Sequence, residues 1–250
     1  MPKAAKTRVL VYALAAWFSV EDLSRIRRSY GADIADVGML SQASWKMGLK
    51  KAGVTVWSRP FPSSAVNEIR VEAVFDVSAD ILFAVLIDVD TYAEIMPPTA
   101  VAQRLSEKPN ERSYYIEINP AMVSRRYYCM NVSFFKPAPD QFVTEWRSWL
   151  PGCSPRSNRL VPMSDSHGRW HLSSLGPRKT RVELQAHMDP GGQIPSWMVN
   201  RATLGQIAET FFYLYRAAHL PRYASQDALV EQKSTNATDS RSSATSPIAR

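Results

Sequence analysis

Apolar and polar residues alternate along most of the chain between residues 54 and 188. In residues 180–188, apolar side chains occupy most even positions and polar ones the odd positions, including His187. A period of two is typical of an antiparallel sheet with one buried and one solvated face, which predicts a solvated His187. Turn sequences bound each segment, and Pro60 and Pro62 are predicted to end the first strand. The pattern predicts strands over residues 54–59, 67–77, 100–105, 112–118, 124–136, 141–150, 169–174 and 180–188.

Two segments have helical spacing instead. The first follows Ser78, a cap-forming residue type, and ends at Pro97 and Pro98. The second begins at Pro195, since the first turn of a helix tolerates a missing N–H, and it stops at Pro221. At about 1.5 Å per residue, its roughly 24 residues span about 36 Å. Its apolar stripe comprises Leu204, Ile207, Ala208, Phe211, Leu214, Tyr215 and Ala218.

This order of elements predicts an α+β fold. A long antiparallel meander would form a curved sheet with one broad apolar face, and the C-terminal helix is long enough to cover that face. Because a curved sheet and a straight helix do not fill the space between them, we expect an internal hydrophobic cavity.

The two ends of the chain differ from this body. Residues 1–31 join an apolar run to six Lys or Arg and two acidic residues, which is typical of an export signal or a membrane-surface helix. A plain N-terminal helix is the alternative. Localisation therefore stays open between cytoplasmic or membrane-peripheral and, with a signal peptide, periplasmic or secreted. Residues 32–222 are predicted to form the folded domain, and residues 223–250, rich in Ser, Thr and Ala, a disordered tail.

The formal charge of +7 does not indicate a nucleic-acid-binding protein. Most of the excess lies in residues 1–31, whereas residues 32–221 carry twenty Lys or Arg against eighteen acidic residues. A nucleic-acid-binding domain concentrates positive charge on its folded face, so no nucleic-acid partner is predicted.

The residues that usually carry chemistry form no recognisable site. Cys129 and Cys153 match no metal spacing, and Cys129 lies in a strand, which favours a buried free thiol; a disulfide stays open if the compartment is oxidising. The four histidines are scattered, and alternation places Glu117 and Glu145 on the outer face. No catalytic residue, metal or cofactor is predicted.

Four motifs resemble a known family. "DPGGQIPSWMVN" (residues 189–200) is the most specific, and "GVTVWSRPFPSS" from Gly53, "VLIDVDTYAEIMP" from Val85 and "VSRRYY" from Val123 match in the same order. Together they resemble the START (StAR-related lipid transfer) domain of the helix-grip superfamily, which also includes polyketide cyclases, from about residue 45 to 222. Two positions differ from the family's motifs: Ile95 occupies a position where a tryptophan is common, and Tyr127 occupies the position of the usual aspartate. An ion pair made by that aspartate is therefore not expected here.

The resemblance implies an internal site for one hydrophobic ligand, such as a sterol, a phospholipid or a similar lipid, with the C-terminal helix as its lid. Gly191, Gly192 and Pro195 are predicted to form the hinge, and Trp197 and Met198 would touch a membrane or cap the sheet. The side chains predicted to point inward and contact the ligand are Tyr114, Ile116, Tyr128, Met130, Val132, Trp146, Trp170, Leu184, Ala186, Met188, Leu204 and Phe211.

The function predicted from this reading is non-catalytic binding, and transfer, of a single lipid by a monomer that contacts membranes transiently. Two alternatives remain. One is a cyclase-like or hydrolase-like enzyme on the same fold, and the other is a lipid sensor that holds its ligand without moving it.

Overall fold

The computed structural model describes residues 44–121, 123–163 and 165–223. The predicted signal or membrane-surface segment at residues 1–31 lies outside the described residues, as does the predicted tail from residue 224 onward. Tyr223, which the sequence assigns to that tail, is buried and packs in the main core.

The predicted antiparallel meander is confirmed as one large sheet. Its spatial order is β1-β2-β3-β10-β9-β7-β6-β5-β4, with the short β8 parallel to the start of β6. The strands are β1 (Lys46–Lys51), β2 (Val54–Phe61), β3 (Ser64–Phe75), β4 (Thr99–Lys108), β5 (Glu111–Ile118), β6 (Arg126–Ala138), β7 (Gln141–Trp149), β8 (Val161–Pro162), β9 (Asp165–Gly176) and β10 (Lys179–Asp189).

The helices also lie where the spacing predicts them. Helix α1 (Ala79–Ile87) starts after Ser78 and is followed by a 3-10 turn (Val89–Thr91) and the short α2 (Tyr92–Ile95). Helix α3 (Ser196–Ala218) has 23 residues, and Pro195 occupies its N-cap position. The α+β fold class is therefore confirmed.

The inner face of the sheet is buried beneath α3. Ile69, Val71 and Ala73 alternate inward along β3, and Val182 and Leu184 do so along the neighbouring β10. Phe211 and Leu214 of α3 are fully buried against the same cluster, which also includes residues of α1. The inward side chains of the strands, which recur every two residues, and those of α3, which recur about every 3.6 residues, thus pack in one apolar core.

The prediction that Pro60 ends the first strand is wrong. Strand β2 continues to Phe61, because the pairing with β3 shifts register between Arg59 and Phe61 and a proline is tolerated at such an irregularity. The continuation carries Phe61 over the outer face of the sheet.

The prediction of a solvated His187 is wrong for a related reason. Its ring stacks on Phe61 with centroids 4.0 Å apart and lies 5.5 Å from the ring of His167, so only 1% of the residue is exposed. Burial lowers the pKa of His187, and the neighbouring His167 lowers it further. The alternation correctly places His187 on the outer face, but that face is covered here.

The cysteine prediction is also corrected. Cys129 of β6 and Cys153 form a disulfide rather than free thiols, with their Cα atoms 5.8 Å apart. The partner lies in the loop between β7 and β8, which folds back over the outer face, and no local pattern reveals that return.

Candidate functional site

The inner face of the sheet divides into two clusters. The larger lies beneath α3 and includes Trp170, Leu184, Ala186 and Phe211 of the predicted ligand-binding set. The smaller lies on β5 and β6 and includes Tyr114, Ile116, Met130 and Val132, with Val89 of the 3-10 turn. Met188 and Leu204 pack against the larger cluster, Tyr128 packs against the smaller one, and Trp146 touches both. The structure thus brings the predicted residues onto one continuous surface.

These residues differ in how completely they are buried. Tyr114, Leu184, Ala186 and Phe211 have at most 2% of their surface exposed. Tyr128, Trp146, Met188 and Leu204 instead keep part of their surface accessible although they belong to the inner face. Closely packed and partly accessible positions therefore occur in both clusters of the inner face.

Tyr128 shows what kind of space its accessible surface faces. Burial alone raises the pKa of its hydroxyl to about 12. A tyrosine facing bulk water keeps a pKa near 10, because water stabilises the phenolate. Tyr128 thus keeps some accessible surface while protein surrounds most of its hydroxyl.

The neighbouring tyrosines are engaged by the protein. The hydroxyl of Tyr92 donates to the carbonyl oxygen of Leu86 at 2.8 Å, and that of Tyr114 donates to Asp90 Oδ2 at 3.3 Å. Burial also raises the pKa of each hydroxyl, so both stay protonated near neutral pH. Tyr92, which sequence reasoning did not single out, lies on α2 rather than on a strand.

Trp146 of β7 is held by close packing on β9. Its indole Nε1 donates to Ser166 Oγ at 3.1 Å. A Cβ built on Gly168 would meet its ring carbon Cη2 at 2.0 Å, so the indole lies directly over this glycine. The absence of a side chain at residue 168 thus fixes where the indole lies.

A cleft of about 460 Å³ opens beside α3, lined by residues 97–100, residues 119–121, and Gln206, Glu209 and Tyr213 of the helix. None of the predicted ligand-binding or hinge residues lines it. Of its three prolines, Pro97 and Pro98 were predicted only to end the first helical segment, and Pro120 was not singled out. The cleft thus lies where loops between elements meet the polar edge of α3.

Known proteins resemble this arrangement. Mouse START domain-containing protein 10 is 24% identical over 183 residues, which are 71% of this chain and 62% of that protein. The crystal structure of human STARD10 has a TM-score of 0.65 at 20% identity and covers 85% of this chain and 84% of its own. The STAR-related lipid transfer protein fragment from Xanthomonas axonopodis has a TM-score of 0.63 at 24% identity, covering 70% of this chain and 99% of its own. This chain folds as a START domain. No family model matches it.

The predicted hinge before α3 is a tight turn. Gly191 and Gly192 have φ of 66° and 73°, a backbone conformation that favours glycine. The backbone N–H of Gly191 donates to Asp189 Oδ1 at 2.9 Å, and Asp189 Oδ2 accepts from Ser64 Oγ at 3.2 Å. Alanine at both glycines would strain this turn in any state, so such a variant cannot test hinge motion.

Two side-chain hydrogen bonds fasten the start of α3 to β3. Asn200 Oδ1 accepts from the backbone N–H of Asn67 at 2.8 Å, and its Nδ2 donates to the carbonyl oxygen of Ala65 at 3.1 Å. Trp197 and Met198, one turn earlier, are exposed by 66% and 43%. They do not cap the sheet with a buried apolar pair, and a membrane contact for them remains a prediction.

Arg126, at the start of β6, is a site residue that sequence reasoning missed. It is only 3% exposed, and its Nη1 and Nε donate to the carbonyl oxygens of Ser124 and Pro190. Arg126 and the inward-facing Tyr128 are two residues apart on β6, so their side chains lie on the same face of the strand. That spacing is the sequence signal that could have identified Arg126. Charged residues are rarely buried, and for that reason the parity alone did not predict it.

The outer face carries a separate polar cluster beneath the disulfide. Glu117 is buried, and its Oε1 accepts from the hydroxyl of Tyr115 at 3.0 Å. The same hydroxyl accepts from the backbone N–H of Arg156 at 3.3 Å. Glu117 therefore faces outward as predicted, but the returning loop covers it.

Within residues 44–121, 123–163 and 165–223, no three His, Cys, Asp or Glu side chains are grouped so as to hold a metal ion. In the same ranges, no helix combines the length and apolar character that a membrane crossing needs.

Proposed function

We propose that this START domain binds a single lipid in an enclosed space between α3 and the inner face of β5, β6 and β7. The observation that carries the proposal is that Tyr128 and Trp146 pack on the inner face of the sheet and yet keep accessible surface. Beneath a covering helix, such surface calls for an apolar occupant, because water there would find few polar partners.

The walls suit a lipid chain with few polar groups. Met130 and Val132 contribute aliphatic surface, and Tyr128 and Trp146 contribute aromatic surface with one polar atom each. Sites of this composition hold an apolar body and use a few polar contacts to orient it. Similarity to START domain-containing protein 10 and to a STAR-related lipid transfer protein supports the same class of ligand.

Binding without chemistry fits the inward groups better than an enzyme does. The predicted inward residues contain no carboxylate and no histidine. The hydroxyls of Tyr114 and Tyr128 have raised pKa values, so neither serves as a general base near neutral pH. A cyclase-like or hydrolase-like enzyme would need such a group at the cavity wall.

The cleft beside α3 is the entrance we propose for the ligand. Its loop residues and the polar edge of the helix can separate without disturbing the core side of α3, where Phe211 and Leu214 are fully buried. Entry there would leave the Asn200 hydrogen bonds to β3 intact.

The test is a titration of the purified protein with a fluorescent phosphatidylcholine and a fluorescent cholesterol, followed by energy transfer from tryptophan. We expect saturation at about one molecule per chain for at least one lipid class, and no turnover of fluorogenic esters. Failure of every lipid class to bind would overturn the proposal, and ester turnover would favour the enzyme.

Transfer and sensing are separated by a second measurement. Transfer of the bound fluorescent lipid between donor and acceptor vesicles should be faster with protein than without it, in proportion to protein concentration. Binding without such acceleration would leave the lipid sensor as the function.

A further inference from the structure

Arg59 and Arg126 are both largely shielded from solvent, but they have different partners. On the outer face, Arg59 Nε donates to Glu68 Oε2 at 2.6 Å, so a carboxylate neutralises its charge. Arg126 donates to the neutral carbonyl oxygens of Ser124 and Pro190 and forms no ion pair with any described carboxylate. Burial alone lowers the pKa of Arg126, as expected for a cation without a neighbouring anion.

A buried cation without a counter-ion is costly. Removing one charge from water and leaving it unpaired costs several kcal/mol by general estimates, so proteins pair such groups or bind an anion beside them. The next residue along β6, Tyr127, lies on the opposite face of the strand. Tyr127 packs in the outer cluster with Tyr115 and the disulfide and supplies no charge.

Arg126 lies at the start of β6, on the strand face that borders the space proposed for the lipid. It precedes Tyr128 by two residues on the same face of β6 and pairs across the sheet with Ile118, which packs against the inner cluster of β5 and β6. A Cβ built on Gly192 would lie 3.6 Å from its Nη2, so the guanidinium also contacts the turn before α3. The guanidinium of Arg126 thus lies between the inner face of the sheet and the turn at Gly191 and Gly192.

We propose that Arg126 binds an oxyanion, carboxylate or phosphate, carried by the lipid in the enclosed space. The inference rests on the proposed function and deepens it from any lipid to an anionic one. A guanidinium presents N–H donors in a planar fork that matches these anions, and two of its nitrogens are already oriented by backbone carbonyls. The anion would supply the counter-ion that none of the described carboxylates provides.

The experiment compares lipids that differ only in the head group. Oleate is matched with oleyl alcohol, and oleoyl lysophosphatidate with monoolein, by competition against the fluorescent lipid. Inorganic phosphate alone is a further arm, which distinguishes a free ion from a lipid head group. The protein is the full chain as wild type and as Arg126→Gln, Arg126→Lys and Arg125→Gln, the last replacing the exposed neighbouring arginine.

We expect wild type to bind at least one anionic lipid about ten- to a hundredfold more tightly than its neutral match, from the usual strength of charge-assisted hydrogen bonds. Arg126→Gln should lose this preference, Arg126→Lys should keep part of it, and Arg125→Gln should keep all of it. Inorganic phosphate should compete only weakly, because it lacks the apolar contacts.

Equal binding of charged and neutral lipids by wild type would overturn the assignment, as would a preference that survives in Arg126→Gln. Phosphate that competes as well as the lipid would also overturn it, because the site would then be one for the free ion. If Arg126→Gln does not fold, the wild-type ratio and Arg126→Lys decide. Failure of neutral and anionic lipids alike would instead refute the proposed function itself.

Discussion

Two regions of the inner face of the sheet differ in how much of their side-chain surface is accessible. Beneath α3, Val56, Val71 and Leu214 on three separate elements have no exposed surface, and the side chains of sheet and helix interlock. On β6 and β7, Tyr128 and Trp146 belong to the same face but keep accessible surface, and burial raises the pKa of Tyr128. In the proposed function, the closely packed side chains supply stability, because interlocked core residues are costly to remove, and the accessible ones contact the lipid.

The largest expected effect lies in the packed part. Phe211→Ala would remove a ring that packs on Trp170 at 5.1 Å and on Phe75 at 6.1 Å between centroids, with no exposed surface. We expect the free energy of unfolding to fall by about 3–5 kcal/mol, as for other buried phenylalanines. Urea unfolding measures this.

The matched control is the next residue, Phe212, which is 57% exposed. Phe212→Ala should change the free energy of unfolding by less than about 0.5 kcal/mol. Similar losses in both variants would mean that α3 does not use its inner stripe to hold the sheet.

A smaller effect is expected where the two parts meet. In Gly168→Ala the new methyl group would overlap the Trp146 ring, with a closest approach of 2.0 Å, so the indole must rotate away from β9. We expect a loss of about 1–3 kcal/mol, typical of overpacking, and weaker binding of the fluorescent lipid because the displaced ring occupies the enclosed space.

Gly205→Ala serves as its control, since a Cβ there meets nothing within 4 Å on the exposed side of α3. That variant should be neutral or more stable by up to about 1 kcal/mol from helix propensity. Unchanged lipid binding in Gly168→Ala would show that Trp146 does not border the site.

Local periodicity was enough to predict the sheet and α3. Alternation through β10 and the 3.6-residue stripe of α3 depend on neighbours within one element, and both are confirmed. Strand β1 was missed because KMGLKK is mostly exposed and does not alternate. It is paired through the Ala52 and Gly53 turn, whose positive φ values close the hairpin.

Features made by distant segments could not be predicted in this way. His187 of β10 is buried by Phe61 of β2, and β3 lies between these two strands in the sheet. The disulfide forms because the loop after β7 returns to β6. Arg126 shows a third reason why sequence patterns are not enough. The face of β6 on which it lies follows from its spacing to Tyr128, but the lack of a described carboxylate beside it is evident only in the folded structure. Sequence patterns thus predict which face of a strand or helix a residue occupies, whereas the residues that it contacts on that face depend on tertiary packing.

The smallest expected effect tests whether Tyr128 truly faces open space. Tyr128→Phe removes a hydroxyl whose pKa is raised by burial alone, with no hydrogen bond contributing. Without ligand, the free energy of unfolding should change by less than about 0.5 kcal/mol, since no hydrogen bond to a described residue is lost. Tyr92→Phe is the matched control, and it should lose about 1 kcal/mol with the 2.8 Å bond to the Leu86 carbonyl. Urea unfolding of both variants, without and then with bound lipid, gives the comparison. If Tyr128→Phe costs as much as Tyr92→Phe in the ligand-free protein, the Tyr128 hydroxyl is bonded within the fold, and the space that the lipid would occupy is filled by the protein.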